Sequence, residues 1–261
     1  MLDLEIVGKG ATTQVYRDGG VAIKLYVNAP SDEAVNEAEL QSFAYNAGLP
    51  VPAVFGVRKL DVNITALDME YINGQPLMHP GMDKDERKNV IYTLVKLQHE
   101  VHKVHAYGLP KQTDRIAWKI KHTQLLDEPL QDKLLSLLIQ LDAGSECLCH
   151  GDFHPLNILF DNNKHWIIDW VDATAGNPLA DACRTYLIFK QHMSRSAGVY
   201  LREFCKETRA KQNAVLMWQP IIAAARLREN MDYKSRLWLL TLVNEWYSIS
   251  IGSDFKGIKS P

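Results

Sequence analysis

The feature that most constrains this chain is a polar loop at residues 150–157, together with the apolar segment that follows it. The loop reads His-Gly-Asp-Phe-His-Pro-Leu-Asn, so Asp152 and Asn157 lie five residues apart. Twelve residues after Asn157, a second aspartate, Asp169, ends a short apolar run. Kinase-type phosphoryl transfer requires such a set, in which one aspartate faces the attacking hydroxyl and the other two side chains hold magnesium.

The segment between Asn157 and Asp169 has the pattern of a β-hairpin. Residues 156–160 are mainly apolar, residues 161–164 are turn formers, and residues 165–169 are again mainly apolar. Folding this segment back brings Asn157, at the entry of one strand, beside Asp169 at the exit of the other. Two oxygen ligands then face one hard cation, as in magnesium sites that share the ion with substrate phosphates.

The N-terminal pattern predicts strand, glycine loop, strand, tight turn and strand. Gly8 and Gly10 lie in the loop, residues 18–20 form the turn, and Lys24 lies on the third strand. Small residues let backbone amides approach phosphate oxygens, and a strand lysine can reach the same phosphates. Two glycines are also typical of an ordinary hairpin, and Thr13 stands where the kinase pattern has a third glycine.

A glutamate on the next helix should orient the strand lysine. The sequence predicts that this helix starts within residues 30–33, with Ser31 as its cap, and runs to about residue 47, where a glycine and two prolines end it. Glu37 and Glu39 both have apolar residues three or four positions away. Periodicity therefore does not decide between them.

Residues 150–170 resemble the catalytic loop of the aminoglycoside phosphotransferase and choline kinase family. Proteins of that family carry His-Gly-Asp-x-x-x-x-Asn followed by Ile-Asp-Trp or Ile-Asp-Phe, and both parts are complete here. The similarity covers nearly the whole chain and is strongest at residues 150–184. It implies that Asp152 is the catalytic base or the group that orients the hydroxyl, and that Asn157 and Asp169 bind Mg²⁺.

The resemblance also implies the remaining nucleotide contacts. It favours Glu37 over Glu39 as the partner of the strand lysine. Residues 64–74 read as a strand that runs into a connector. In the family this connector is the hinge, where the backbone around Glu70 to Ile72 hydrogen-bonds the purine of ATP or GTP.

The patterns and the resemblance together predict an α+β, bilobal protein-kinase-like fold. A small N-terminal β-rich lobe, residues 1–72, would bind the nucleotide, and a larger helical lobe, residues 73–261, would carry catalysis and substrate binding. Helical periodicity after the hinge predicts helices at residues 83–106, 129–141, 178–192, 214–231 and 237–250.

Composition and the absence of certain sequence patterns limit which partners and which cellular location we expect for this protein. The formal net charge of −2 gives no basic field for nucleic acid, and no apolar run approaches the ~20 residues that span a bilayer. The four cysteines lack metal spacing, and His150 and His154 have no third ligand for zinc. The first residues lack signal-peptide features. We therefore expect a cytoplasmic enzyme with Mg²⁺ as cofactor and no membrane, nucleic-acid or obligate protein partner.

The predicted acceptor is a hydroxyl group of a small molecule. A protein kinase normally carries His-Arg-Asp, where this chain has Gly151, and a long activation segment after the metal-binding aspartate. Only eleven residues separate Asp169 from Asp181, which leaves little platform for a peptide. Asp181 either braces the catalytic loop, as the family implies, or is an ordinary acid in the first turn of a helix.

The sequence leaves the identity of the acceptor open. By the resemblance it is an aminoglycoside or similar antibiotic, or a metabolite such as an amino alcohol or a sugar. Glu229, Asp232 and Glu245 could bind a polycation, but arginines and lysines lie among them. A nucleotide-binding pseudoenzyme and a protein Ser/Thr kinase are the alternatives. The pseudoenzyme is disfavoured because the lysine, a candidate glutamate, the candidate base and the metal ligands are all present.

Overall fold

A computed structural model describes residues 5–9, 13–30, 32–161 and 163–255. The chain divides into two compact units, each made of two segments. The first unit contains Met1–Val104 and His150–Ala173, and the second contains His105–Cys149 and Thr174–Pro261. The lobe boundary predicted after residue 72 stays a prediction.

The secondary structure alternates between short strands and helices. In chain order, the strands are β1 (Glu5–Lys9), β2 (Thr13–Asp18), β3 (Val21–Val27), β4 (Val54–Asp61), β5 (Ile64–Glu70), β6 (Gln75–Pro76), β7 (Cys147–Cys149), β8 (Ile158–Phe160), β9 (His165–Ile167) and β10 (Thr174–Gly176). The helices are α1 (Glu33–Asn46), α2 (Lys84–His102), α3 (Gln112–Lys121), α4 (Glu128–Leu141), α5 (Pro178–His192), α6 (Ser194–Thr208), α7 (Gln212–Leu216), α8 (Gln219–Arg226) and α9 (Tyr233–Phe255).

The first unit is built on a five-stranded antiparallel sheet with the strand order β1-β2-β3-β5-β4. Gly19 and Gly20 connect β2 to β3 as a two-residue turn, and Gly19 has the positive φ of 58° that such turns use. Strand β3 is central, so Lys24 pairs with Val15 on one side and with Leu67 on the other. The backbone at Lys24 is therefore fixed by a paired strand on each side.

Helix α1 packs one face against this sheet. Ala34 and Ala38, four residues apart, join a buried cluster with Tyr26 and Met69 of the strands. The helix ends where Gly48, at a φ of 82°, leaves the helical conformation. The predicted helix is therefore confirmed from Glu33 to Asn46, and its predicted cap, Ser31, lies outside the described residues.

The hairpin predicted after the polar loop is also confirmed. A 3₁₀ helix at Pro155–Asn157 leads into β8, and β8 pairs with β9 in a three-stranded sheet of order β6-β8-β9. Residue 162 of the predicted turn lies outside the described residues. Helix α2, with Asp83 and Glu86 forming a capping box at its start, confirms the predicted helix but ends four residues earlier than expected.

The second unit is mainly helical, with one two-stranded antiparallel sheet of β7 and β10. Helix α5 has the predicted bounds, and α4 and α9 confirm two further predictions. The single helix predicted at residues 214–231 is wrong. Two shorter helices, α7 and α8, stand there because Pro220 lacks a backbone N–H and is tolerated only in the first turn of α8.

Two helices of the second unit, α3 and α6, were not predicted. Helix α6 buries Ala197, Tyr200, Leu201 and Phe204, which follow helical spacing, so the signal was present in the sequence. The ring of Tyr200 packs between Phe189 and Phe204. None of the helices in the described ranges combines the length and apolarity that a bilayer span needs.

Candidate active site

The centre of the candidate site is a cluster of three charged side chains, in which Lys24 of β3 contacts Glu37 of α1 and Asp169. Lys24 Nζ lies 2.8 Å from both carboxylate oxygens of Glu37 and 2.8 Å from Asp169 Oδ1. Lys24 is 8% exposed and Glu37 is 1% exposed. Burial disfavours the ammonium, but the charges of Glu37 and Asp169 outweigh burial and raise the pKa of Lys24 above its ordinary value. Lys24 is therefore a fixed cation at neutral pH.

Helical periodicity left two glutamates open and the resemblance favoured Glu37, which the structure places beside Lys24. Glu37 lies on the buried face of α1 and pairs with Lys24, whereas Glu39 is exposed. The difference arises because residues two apart on a helix point about 200° apart around its axis. Only one of the two can face the sheet.

Tyr26 is a member of this cluster that the sequence analysis missed. Its buried hydroxyl donates a hydrogen bond to Glu37 Oε2. Burial and the negative charge of Glu37 raise the pKa of Tyr26 above its ordinary value, so the hydroxyl stays protonated and donates. The alternation of side chains along a strand could have indicated it, because Tyr26 and Lys24 are two residues apart and leave β3 on the same face.

Asp152 is held at the start of the polar loop by its own neighbours. Asn157 Nδ2 donates to the Asp152 carbonyl at 3.0 Å and to Oδ2 at 3.3 Å. His154 Nε2 lies 3.2 Å from the same Oδ2. The Asp152 side chain is 29% exposed, so the carboxylate is oriented by the loop and can still be reached from solvent.

His150 connects this loop to the segment that carries Asp169. Its Nδ1 accepts from the Asp152 amide at 3.2 Å, and its Nε2 donates to the Ile168 carbonyl at 3.0 Å. The ring packs against Phe153 and Trp170, with centroid distances of 5.4 and 4.7 Å. The histidine that the sequence analysis weighed only as a zinc ligand therefore links the two aspartate segments.

The residue between His150 and Asp152 is a glycine, Gly151, for a steric reason. Its φ is 82°, in the left-handed region that favours glycine. A Cβ at this position would lie 2.3 Å from the backbone carbonyl oxygen of Asp172. An arginine, as in the protein-kinase motif, would therefore clash here, so the change from His-Arg-Asp to His-Gly-Asp follows from the local backbone.

Asn157 and Asp169 lie at the two ends of the hairpin. The Ile168 amide donates to the Asn157 carbonyl at 3.0 Å, which ties the two segments together. Since Asn157 Nδ2 faces Asp152, the Asn157 side-chain oxygen is the atom left for a cation. The Asp169 side chain is 39% exposed, and its backbone adopts a φ of 67°. Strained conformations of this kind cluster at functional sites.

Asn157 and Asp169 offer an amide oxygen and a carboxylate, and hard oxygen donors of this kind suit magnesium. Magnesium is usually bound by one or two protein oxygen ligands, with phosphate and water oxygens completing the shell. Asn157 and Asp169 match that requirement.

The connector after β5 is anchored by its own backbone and one side chain. The Glu70 amide donates to the Ala53 carbonyl at 2.8 Å, and its carboxylate accepts from the Ala53 amide at 3.2 Å. The Tyr71 amide donates to the Gly20 carbonyl at 2.9 Å. The amides of Glu70 and Tyr71 are therefore engaged within the protein, and the side chain of Ile72 is buried.

The glycine loop is described only in part. Gly8 lies in β1 beside Val15, and a Cβ there would meet Val15 Cβ at 3.4 Å. Gly10 lies outside the described residues. The role predicted for both glycines in holding phosphates stays a prediction.

The carboxylates considered for a polycation do not form an open acidic cluster. Glu229 accepts hydrogen bonds from Arg184 and from Arg226, the second at 3.0 Å, so two arginines compensate its charge. Asp232 accepts from the amide and hydroxyl of Ser235 at the start of α9. Glu245 is exposed on α9. Asp181 is buried in the first turn of α5.

Sequence comparison identifies one family over most of the chain. The model of the family described as the phosphotransferase enzyme family matches residues 3–214. Among curated proteins, acyl-CoA dehydrogenase family member 11 of Rattus norvegicus is 25% identical over 201 residues, which are 64% of this chain and 26% of that protein. The chain spans between 26% and 38% of the length of the curated relatives it matches.

Structure comparison finds aminoglycoside phosphotransferases. A thermostable mutant of APH(4)-Ia, solved with ADP and hygromycin B, has a TM-score of 0.67 and 16% identity, with 94% of this chain and 92% of that chain covered. APH(2")-IIia, solved with GDP and kanamycin, has a TM-score of 0.59 and 18% identity at the same coverage. Such low identities show the fold alone. The predicted protein-kinase-like α+β fold is confirmed.

Proposed function

Because the chain belongs to the phosphotransferase enzyme family, we propose that it is a kinase that transfers the γ-phosphate of ATP or GTP to a hydroxyl group of a small molecule. The observation that carries this proposal is the buried contact of Lys24 with Glu37 and Asp169. These three residues come from three separate chain segments but belong to the same compact unit as Asp152 and Asn157. Their residue types are the parts that a kinase needs.

Lys24 is proposed to bind the nucleotide phosphates. Its ammonium is a compact positive charge that donates to Glu37 of α1. Such a charge can bind phosphate oxygens. Asn157 and Asp169 would hold Mg²⁺, which neutralises charge on the triphosphate when bound. Lys24 contacts Asp169 as well as Glu37, so one cation faces two carboxylates and the cluster has a net charge of −1. A cation bound at Asp169 would offset that charge.

Asp152 is proposed to orient the acceptor hydroxyl and to take its proton. Two nitrogen atoms, from Asn157 and His154, approach one carboxylate oxygen and restrict its rotation. The side chain remains accessible, as a group that meets a second substrate must be. A positioned proton acceptor of this kind typically contributes ~10²–10⁴ in rate.

The purine is proposed to bind at residues 70–72. With the amides of Glu70 and Tyr71 already engaged, the Ile72 amide is assigned as the donor to the base. Of the similar solved structures, one contains ADP and another GDP. We therefore propose a purine nucleoside triphosphate as donor without preferring ATP or GTP.

The proposed acceptor is a small molecule because the segment after Asp169 is short and structured. Residues Thr174–Gly176 pair with β7, and α5 begins at Pro178. This leaves no long segment of the kind on which protein kinases bind peptides. Of the similar solved structures, one contains hygromycin B and another contains kanamycin. The compensated charge of Glu229 gives no particular support to a polycationic acceptor, so antibiotics and metabolites are both candidates.

The test is a phosphorylation assay with purified protein, Mg²⁺ and either ATP or GTP. The acceptor panel contains aminoglycosides, amino alcohols, sugars, nucleosides and generic protein substrates, with product detected by mass spectrometry. We expect product on a small-molecule hydroxyl, and loss of product in Asp152→Asn. Asp132→Asn, the same chemical change on α4 in the second unit, is the matched control. Product only on protein serine or threonine would refute the proposal.

A further inference from the structure

Tyr26 carries a buried hydroxyl to which the proposed reaction assigns no role. The residue is 3% exposed and lies on β3 two positions after Lys24. Its hydroxyl donates to Glu37 Oε2, and its ring centroid lies 5.6 Å from Lys24 Nζ. Tyr26 therefore contacts both members of the ion pair at once.

Glu37 needs more than one donor to stay oriented as a carboxylate. It is almost completely buried, and a buried carboxylate is stable only when hydrogen bonds and a countercharge satisfy it. Lys24 supplies the countercharge, but it divides its donors between Glu37 and Asp169. The Tyr26 hydroxyl is a donor that approaches one oxygen of Glu37 from the same strand as Lys24.

In this arrangement the Tyr26 hydroxyl restricts the orientation of the Glu37 carboxylate. If only Lys24 held Glu37, the carboxylate and the flexible ammonium could move together. A second donor on a rigid ring restricts the Glu37 side chain, and Glu37 then restricts Lys24. Tyr26 itself is fixed by the apolar cluster that includes Ala34 and Ala38 of α1.

We propose that Tyr26 is a positioning residue of the nucleotide site, whose hydroxyl holds Glu37 so that Lys24 stays aimed at the nucleotide phosphates. Tyr26 acts through Glu37 and touches no substrate. The inference rests on the proposed function, because it needs Lys24 to meet a nucleotide. It adds a third member, supplied by β3 itself, to the lysine–glutamate pair.

The experiment compares wild type with Tyr26→Phe, which removes the hydroxyl and keeps the ring. We expect kcat/KM for the nucleotide to fall about tenfold, the factor that about 1.4 kcal/mol produces, with KM for the acceptor unchanged. Nucleotide affinity, measured by calorimetry with magnesium and a non-hydrolysable analogue, should fall in parallel. Tyr200→Phe removes another buried hydroxyl, in the second unit, and should leave nucleotide affinity unchanged.

A second comparison tests whether Tyr26 acts through Glu37. In a Glu37→Ala background, Tyr26→Phe should cause little further loss, because the side-chain oxygen that accepts from the hydroxyl is already absent. Equal losses in the two backgrounds would overturn the proposal. So would a Tyr26→Phe protein with wild-type nucleotide constants, whatever its melting temperature.

Two remaining outcomes are also informative. If Tyr26→Phe does not fold, Tyr26→Met provides a second variant without a hydroxyl, and failure of both to fold would make Tyr26 a purely structural residue. If wild type itself binds no nucleotide, the proposed function fails first. Normal nucleotide binding by wild type with no effect of Tyr26→Phe refutes only the present inference.

Discussion

The close approach of Gly151 to Asp172 predicts a large loss of stability in Gly151→Ala. Gly151 has a φ of 82°, and its missing Cβ would lie 2.3 Å from the Asp172 carbonyl oxygen. That oxygen belongs to the backbone, so no side-chain rotation can relieve the contact. The variant must therefore move either the loop that carries Asp152 or the segment after Asp169.

The two sources of cost can be estimated separately. A non-glycine residue in the left-handed region costs roughly 1–2 kcal/mol. Forcing an extra carbon into a packed site typically adds roughly 1–3 kcal/mol. We therefore expect Gly151→Ala to lower the free energy of unfolding by about 2–5 kcal/mol.

Gly48 provides a matched control because it has the same φ of 82°, and a Cβ added there would meet nothing within 4 Å. Gly48→Ala should show the conformational cost alone, about 1–2 kcal/mol. Both glycines lie in the first unit, so urea unfolding followed by tryptophan fluorescence compares them in one transition. Equal losses in the two variants would refute the argument from close approach. A rise in stability in Gly151→Ala would do so as well.

Three further predictions concern the proposed base, the proposed metal ligand and an ion pair of the second unit. Asp152→Asn should reduce turnover ~10²–10⁴-fold while calorimetry shows unchanged nucleotide affinity, and full turnover would exclude Asp152 as the base. Asp169→Ala should remove the magnesium dependence of nucleotide binding, and a titration with the same magnesium dependence as wild type would exclude Asp169 as a ligand. Burial alone would raise the pKa of Glu229, but Arg184 and Arg226 outweigh burial and hold it below its ordinary value. Glu229 therefore stabilises the fold above its ordinary pKa, and this contribution is lost as pH falls through the lowered pKa. Glu229→Gln should destabilise the protein at neutral pH by about 1–3 kcal/mol, because Arg226 is buried and loses the countercharge of a side chain that is itself 23% exposed. The free energy of unfolding of Glu229→Gln should also fall less than that of wild type when the pH is lowered. The same pH dependence of this free energy in both proteins would contradict the prediction.

Local sequence patterns identified the residues of the candidate site for which catalytic and metal-binding roles are proposed. The spacing of Asp152, Asn157 and Asp169 predicted the loop and hairpin, because turn formers and strand periodicity act over a few residues. The position of Lys24 on a strand and the presence of α1 after it were likewise predicted from neighbouring residues. The same local reasoning failed at residues 214–231, where the apolar pattern continued through Pro220 although the helix could not.

Only the tertiary structure decided which residues meet. Glu37 rather than Glu39 contacts Lys24, and Lys24 contacts Asp169 across 145 positions of the chain. Strand alternation places Tyr26 on the same face as Lys24, but it does not predict the bond from its hydroxyl to Glu37. The contact between Gly151 and Asp172 could not be inferred from the sequence either. Such contacts depend on the rotation of a helix over a sheet and on backbone approaches of a few ångströms. A linear pattern of residue types encodes which face is apolar, but it does not encode those distances.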